Sequence, residues 1–254
     1  HIRSFVAKGL NENISSRTMN LKLSAISSYC NYLVKIGVLE SNPAKKVHRP
    51  KEDKKLPVFY TEVSLEQYIE ERNREEVKDS MDFHQYRNWL LILVLYSTGM
   101  RRSEAIGLRQ EDFDLGRKVV RVVGKGDKLR EIPLPVSVCQ EILLYLRRIK
   151  DEFPDGVGGL FFVTDKGRPI YPVFVDKVVK EELSGVDGFS GRKSPHVLRH
   201  SIATHLLNNG ANLNSIKELL GHSSLAATQV YTHTSFEQLK NTFLTAHPRA
   251  KKRR

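Results

Sequence analysis

The chain has 254 residues, of which 41 are Lys or Arg and 29 are Asp or Glu, and its formal net charge is +12 at pH 7. This length can bury a substantial core, and a hydrophobic content of 40% argues against a disordered chain. A strongly basic protein attracts phosphate-rich partners, so nucleic acid is the leading expectation and an anionic membrane surface is the alternative.

The first periodic segment, "SRTMNLKLSAISSYCNYLVKIG", predicts one amphipathic helix that ends at Gly37. Its apolar residues at helical spacing are Leu23, Ile26, Cys30, Leu33 and Val34. Cys30 and Cys139 lie far apart in helix-like stretches, which fits packed thiols in a reducing cytoplasm better than a disulfide.

Residues 41–57, "SNPAKKVHRPKEDKKLP", contain three prolines and seven Lys, Arg or His, and they predict an extended basic linker. We place the domain boundary here, with residues 1–50 as an N-terminal helical part, 51–57 as the linker and 58–254 as the large domain. The first segment is small for an independent core, and its start at His1 rather than Met is consistent with a fragment.

The large domain is predicted to be α+β and mostly helical. A helix is expected over residues 65–74, and a buried helix ends at Gly99. The buried helix contains the longest apolar run, "WLLILVLY" from Trp89 to Tyr96, which is far shorter than the roughly 20 residues of a bilayer span.

A β-rich stretch follows, "KVVRVVGKGDKLREIPL". In it Val120 and Val122 alternate with Arg121, and "GKGDK" is predicted to form the turn. Further along we expect a helix over 136–150, a short strand "LFFV" over 160–163, a helix over 173–183 and another from Pro195 onward.

The stretch "SPHVLRHSIATHLLNNG", residues 194–210, opens that last helix with Ser194 as the cap and Pro195 in the first turn. His196 then lies near a helix N-terminus, where free N–H groups attract anions, and Arg199 is its neighbour on one face. A solvated helix face is the commoner meaning of an isolated HxxR pattern. His196 and His200 also have zinc-site spacing, but the Glu of an HExxH motif is missing.

The stretch "TGMRRSEAIGL", residues 98–108, leaves Arg101 at the junction between a helix that ends at Gly99 and the next one. An arginine in this place can clamp a phosphate with two parallel hydrogen bonds. A salt bridge from Arg101 or Arg102 to Glu104 is at least as good an interpretation of this stretch alone.

Two more stretches contain polar residues that could take part in a reaction. Lys125 lies at the tip of the predicted hairpin, where it could reach a leaving group, although no Walker motif surrounds it and most such lysines only keep a turn soluble. In "LLGHSSLAATQVYTHT", residues 219–234, His222 precedes a predicted helix start and Tyr231 follows. Packing is the usual role of a helical tyrosine.

Together these stretches supply two arginines, two histidines, a lysine and a tyrosine, without a pair of carboxylates. That set suits metal-independent chemistry at a phosphodiester, because fixed positive donors can hold the non-bridging oxygens as charge develops.

The stretches also resemble the tyrosine site-specific recombinases of the phage integrase family, and within them the Xer type. "TGMRRSEAIGL", "VVGKGDKLREIPL", "SPHVLRHSIATHLL", "LLGHSSLAATQVYTHT" and the terminal "HPRA" occur in the family's order between Thr98 and Ala250. The resemblance implies a catalytic domain with a small antiparallel sheet, preceded here by part of an all-helical core-binding domain.

The resemblance further implies that Arg101 and Arg199 grip the scissile phosphate. Lys125 would be the general acid for the departing 5′-hydroxyl, His196 would assist proton transfer, and His222 would hold a phosphate oxygen.

By the same resemblance, Tyr231 would attack phosphorus to form a 3′-phosphotyrosyl link, so that strands are cleaved and rejoined without ATP, cofactor or metal. The rival interpretations are a nicking and closing activity like that of type IB topoisomerases, a DNA-binding module with a vestigial site, and a metal-dependent phosphodiesterase using His196 and His200.

The implied partner is double-stranded DNA, bound by four protomers on two sites, either copies of this chain or of this chain and a paralogue. The C-terminal helix in "SFEQLKNTFLTAHPRA" would dock on a neighbouring protomer. We expect no membrane partner and a cytoplasmic, nucleoid-associated location.

Overall fold

The computed structural model describes residues 1–51, 59–124, 127, 129–187, 189, 191–221 and 233–250, with the backbone alone for 233–238. The chain divides into two compact units, His1–Pro57 and Val58–Arg254. Within the described ranges, no helix is long and apolar enough to cross a membrane.

The first unit contains helices α1 (Ile2–Asn11) and α2 (Ser16–Lys35), and the helix predicted from the periodic segment is confirmed as α2. Ser15 begins α2 by accepting a hydrogen bond from the Thr18 N–H. A small core of Val6, Met19 and Leu23 lies between the two helices.

The start of the predicted linker is packed, which corrects the expectation of an extended segment over 41–57. Residues Pro43–Lys46 form a 3₁₀ turn that is capped by Asn42. The buried amide of Asn42 donates to the carbonyl of Ser27 at 2.9 Å and to Asn31 Oδ1 at 2.8 Å. These bonds hold the turn against α2, and the proline content alone did not reveal them.

The second unit is mostly helical with one small sheet, so the predicted fold class is confirmed. Its elements are α3 (Glu62–Asn73), α4 (Glu75–Ser80), α5 (Phe83–Thr98), α6 (Arg102–Ile106), β1 (Phe113–Asp114), β2 (Val119–Val123), β3 (Leu129–Pro133), α7 (Val136–Glu152), α8 (Pro172–Glu182), α9 (Pro195–Asn208), α10 (Leu213–Leu220) and α11 (His233–Ala246).

Helix α5 is the centre of this unit, and α7, α8 and α9 pack against it. It begins with a capping box, in which Asp82 accepts from the Gln85 N–H and Gln85 accepts from the Asp82 N–H. Every residue from Trp89 to Thr98 is buried, and Gly99 ends the helix in the left-handed region at φ 60°. The buried core helix predicted from the apolar run is therefore confirmed.

The sheet is antiparallel in the order β1-β2-β3. Val120 pairs with Ile132 and Val122 pairs with Arg130, so these four residues share the inward face of the β2–β3 hairpin. The alternation predicted from the sequence is confirmed. The strand predicted over 160–163 is wrong, because this segment makes only isolated bridges at its ends, Arg109 with Leu160 and Val163 with Pro169.

Helix α11 and the residues that follow it as far as Ala250 pack against their own unit. Leu239, Phe243 and Ala246 of α11 are buried. His247 Nε2 donates to the Ser97 carbonyl at 3.0 Å, and its Nδ1 accepts from the Arg249 N–H at 3.1 Å. Burial, above all, lowers the pKa of His247 to about 3, so the ring is neutral and fixes α11 to the end of α5.

Candidate active site

The site begins where α5 ends. Gly99 turns the chain out of the buried helix, and Arg101 precedes α6, so its side chain emerges at a helix junction as the sequence predicts. Glu104, three residues later, reaches back and accepts the Arg101 N–H at 2.6 Å and the Arg101 Nη1 at 2.9 Å. The guanidinium of Arg101 also donates through Nη2 to the Gly221 carbonyl at 2.5 Å.

Arg199 reaches the same place from α9. Its side chain is buried, with Nη1 donating to the Gly99 carbonyl and Nη2 to the Leu220 carbonyl, both at 2.5 Å. Burial and then the neighbouring charge of Arg101 lower its pKa to about 10. Arg199 therefore remains positively charged at neutral pH despite its burial.

A third arginine comes from the sheet. Arg130 on β3 is buried, and its Nε donates to the Leu219 carbonyl at 2.9 Å. The three guanidiniums of Arg101, Arg130 and Arg199, here called the arginine cluster, thus bind three successive carbonyls at the end of α10. The C-terminal end of a helix carries partial negative charge, which favours cations in this place.

Glu104 is the carboxylate that this cluster surrounds. Arg130 donates through Nη1 and Nη2 to its two oxygens, at 2.8 and 2.9 Å. Burial by itself raises the pKa of Glu104, but the hydrogen bonds from Arg130 and Arg101 outweigh it and hold the pKa at about 2. The carboxylate is ionised throughout the physiological range.

Three cations against one carboxylate leave the cluster with a net positive charge. A guanidinium has five N–H donors, and the two carbonyl bonds of Arg199 use only two of them. Arg101 is about one third exposed, so it can meet a ligand from solvent. The arrangement can bind the non-bridging oxygens of a phosphate.

His196 is exposed on the first turn of α9, three residues before Arg199. Ser194 is the N-cap residue of this helix, but its side chain makes no capping bond, contrary to our expectation. The ring of His200 packs edge-on against Phe59, with 6.1 Å between centroids. In the part of the chain that the structure describes, no three His, Cys, Asp or Glu side chains are grouped as for a metal ion.

The remaining predicted site residues, Lys125, His222 and Tyr231, lie outside the described residues. In the sequence, His222 directly follows Gly221, the residue whose carbonyl accepts from Arg101. In the sequence, Lys125 lies between the end of β2 and the start of β3, and β3 contains Arg130.

The sequence patterns did not single out Arg130, and they indicated Glu104 only as the partner of a structural salt bridge. That bridge exists, since Glu104 pairs with Arg101, whereas Arg102 pairs with Asp176. Strand alternation could have revealed Arg130, because it shares the face of Ile132 and is therefore a charged residue at an inward position.

Comparison with known proteins gives the same family as these stretches. Residues 67–238 match the sequence profile of the phage integrase family. The chain is 38% identical over 259 residues to tyrosine recombinase XerC of Bacillus licheniformis, covering 99% of this chain and 81% of that protein. It is 36% identical over 264 residues to tyrosine recombinase XerC of Chlorobaculum parvum, covering 98% and 78%.

Solved structures with a similar fold include recombinases bound to DNA. XerH site-specific recombinase bound to difH substrate, in a pre-cleavage complex, is 25% identical with a TM-score of 0.59, covering 89% of this chain and 70% of that one. The Tn1549 transposon integrase in complex with circular intermediate DNA is 20% identical with a TM-score of 0.68, covering 93% and 82%. The second likeness concerns the fold alone.

Proposed function

The chain belongs to the phage integrase family, and from that membership we propose that it is a site-specific recombinase that cleaves and rejoins DNA through a phosphotyrosine. The observation that carries the proposal is the convergence of Arg101 and Arg199 on the end of α10. These two cations come from stretches 98 residues apart in the chain, yet they bind adjacent carbonyls. Neither type IB topoisomerase activity nor simple DNA binding is favoured by the relatives.

The proposed reaction begins with a phosphodiester held by Arg101 and Arg199. The phenolic oxygen of Tyr231 attacks phosphorus, a bond forms between them, and the bond to the 5′-oxygen breaks. Lys125 gives a proton to the departing 5′-oxygen, while His196 assists the transfer of the phenolic proton away from Tyr231. His222 supports a non-bridging oxygen.

Rejoining is the reverse of this step. A 5′-hydroxyl attacks the phosphotyrosine and the tyrosine leaves with a proton. Each step breaks one phosphoester bond and forms another, so no nucleotide cofactor is required. Arg101 and Arg199 supply the positive charge that a metal ion supplies in other phosphoryl transfers.

Duplex DNA is the proposed partner, in keeping with the net charge of +12 and with the difH substrate bound by XerH. We expect the protein to reside with the nucleoid, and residues 1–50 to be part of a core-binding domain. Strand exchange needs four protomers on two sites, in which α11 would dock on a neighbouring copy. The buried face of α11, with Leu239 and Phe243, is apolar enough to pack in the same way against another molecule.

A plasmid with two copies of the target site tests this function. We expect exchange between the sites, with products that differ in size after restriction digestion. Relaxation of supercoils without exchange would contradict recombination and favour the topoisomerase-like activity. Binding without relaxation or exchange would favour the DNA-binding module.

A further inference from the structure

Arg130 is a buried arginine that the proposed reaction does not use. Its three hydrogen bonds join β3 to two other elements, with the Nη atoms on Glu104 at 2.8 and 2.9 Å and Nε on the Leu219 carbonyl at 2.9 Å. Its side chain is 8% exposed, so a DNA phosphate could hardly reach it. A buried charge in this position has to act through the groups that it touches.

Arg130 binds the carboxylate of Glu104 and the carbonyl of Leu219, and both are close to Arg101. Glu104 is also bound by Arg101, and Leu219 lies two residues before Gly221, whose carbonyl Arg101 binds. Glu104 accepts from the side chain and the backbone N–H of Arg101, at 2.9 and 2.6 Å. Arg101 also binds the Gly221 carbonyl, two residues after the carbonyl that Arg130 binds. Arg101 and Arg130 therefore share one carboxylate and one helix end.

We propose that Arg130 is a positioning residue of the recombination reaction, and this inference rests on the proposed function. Arg130 divides the negative charge of Glu104 between two guanidiniums, so Arg101 is oriented by the carboxylate without being neutralised by it. Its bond to Leu219 fixes the end of α10, which leads directly to His222. Arg130 itself lies on β3, and Lys125 precedes it by five residues in the sequence.

Loss of Arg130 has two consequences for Arg101. Glu104 would then pair with Arg101 alone and neutralise it, so Arg101 would have no net positive charge with which to bind the phosphate. The end of α10 would lose one of its three guanidinium partners, and small displacements of reacting groups slow a reaction steeply. DNA affinity, which depends on many phosphate contacts over the surface, should change little.

A purely structural role is the competing explanation, and Arg87 provides a matched control for it. Arg87 on α5 is also buried, and its Nη1 donates to the Val163 carbonyl at 3.1 Å and to Asp165 at 2.6 Å. Each arginine thus binds one carboxylate and one carbonyl, and Arg87 additionally donates through Nε and Nη2 to Asn88 Oδ1. Arg87→Met and Arg130→Met both remove a buried guanidinium that binds a carboxylate and a carbonyl, but only the second change touches a partner of Arg101.

The test measures the rate of covalent adduct formation in a single turnover, on a nicked suicide duplex at saturating protein. We expect Arg130→Met to slow adduct formation about 100-fold, with a DNA dissociation constant within about threefold of the unaltered chain. Arg87→Met should react within about threefold of the unaltered chain at equal occupancy. Arg130→Lys keeps the charge but cannot bond both oxygens and the carbonyl, so we expect partial recovery.

Arg130→Lys also serves if Arg130→Met fails to fold, since folding of each variant is checked by thermal melting. A cycle with Glu104→Gln adds a second criterion. If Arg130 acts through Glu104, the double variant should react no more slowly than the slower single variant. Multiplicative losses would contradict that coupling.

The outcomes separate this inference from the proposed function. An unaltered chain that forms no adduct contradicts the proposed function, and the inference falls with it. An unaltered chain that forms the adduct, together with Arg130 variants that react equally fast at equal occupancy, contradicts only the role of Arg130. Equal slowing by Arg87→Met and Arg130→Met would mean that the effect is structural.

Discussion

At the scale of single residues, the ion pairs of the site have a different character from those of the surface. Glu104 is buried and receives hydrogen bonds from Arg101 and Arg130, whereas Glu131 pairs with Arg117 and Arg121 at the edge of the sheet. Exposed pairs of the second kind contribute about 0 to 1 kcal/mol. Breaking a buried pair leaves an uncompensated charge, which is far more costly.

The pH dependence of stability follows from this difference. The pKa of Glu104 is about 2 in the folded protein, compared with 4.5 for an unperturbed glutamate. Its contribution is therefore complete above about pH 4.5 and is lost as the pH falls through about 2, and it is on the order of 3 kcal/mol.

We expect Glu104→Gln to lower the free energy of unfolding at pH 7 by a few kcal/mol, and the difference from the unaltered chain to shrink by about half at pH 3. Urea unfolding at both pH values measures this. Glu131→Gln is the matched control, with an expected loss of less than about 1 kcal/mol at pH 7. A difference for Glu104→Gln that stays constant with pH would show that the carboxylate is not the source of the effect.

At the scale of elements, the site depends on close contact between the ends of helices. A Cβ atom added at Gly99 would lie 2.6 Å from Leu220 Cδ2 and 3.0 Å from Ile202 Cγ2. Gly99 also has φ +60°, a conformation that L-residues adopt at a penalty. The absence of a side chain here lets α5, α9 and α10 meet, and it places the Gly99 carbonyl against Arg199.

Substitution at this glycine should therefore be more harmful than at a glycine with free space. We expect Gly99→Ala to lower the free energy of unfolding by about 2–5 kcal/mol, the sum of backbone strain and overpacking. Gly156→Ala is the control, because Gly156 has φ +81° but nothing within 4 Å of its added Cβ, so about 1–2 kcal/mol is expected. Similar losses in the two variants, measured by urea unfolding, would contradict close packing at Gly99.

The elements themselves were predictable to different degrees. Helix α2 was predictable from its apolar spacing and α5 from its continuous apolar run, and a glycine follows each of them. These signals lie in neighbouring residues, so a local stretch of sequence contains them. The segment 160–163 was predicted as a strand from its apolar run, but Phe161 and Phe162 are both buried and the backbone finds a pairing partner only at its ends. An apolar run of four residues fits a buried loop as well as a paired strand, so the run alone does not predict strand pairing.

Two of the three arginines of the cluster were predictable from the sequence, but the third and the arrangement of all three were not. Arg101 and Arg199 stand out because each lies at a helix junction or N-terminus in a recognisable stretch. Arg130 and its bond to Leu219 depend on residues 89 positions apart, and no local pattern contains that contact. The hydrogen bond from Arg199 to the Gly99 carbonyl likewise joins residues 100 positions apart, and no local pattern contains it.

At the scale of the whole molecule, the net charge of +12 predicts an anionic partner but does not locate its site. Several basic side chains serve the fold instead. Arg87 pairs with Asp165, and Arg148 binds the carbonyls of Met81 and Lys78. The arginine cluster differs from these pairs because, among the described residues, Arg101 and Arg130 both bind the carboxylate of Glu104 while Arg199 binds only carbonyls.

In the proposed reaction, the protein cleaves DNA through a tyrosine without a metal ion. The most direct measurement incubates the protein with a nicked suicide duplex in excess chelator and separates the products on a denaturing gel. Tyr231→Phe removes only the nucleophilic oxygen, and Tyr171→Phe, at an exposed tyrosine, is the matched control.

We predict a covalent protein–DNA band for the unaltered chain and for Tyr171→Phe, and none for Tyr231→Phe, with DNA bound in all three cases. A band that persists in Tyr231→Phe, or one that requires a divalent metal ion, would contradict the account.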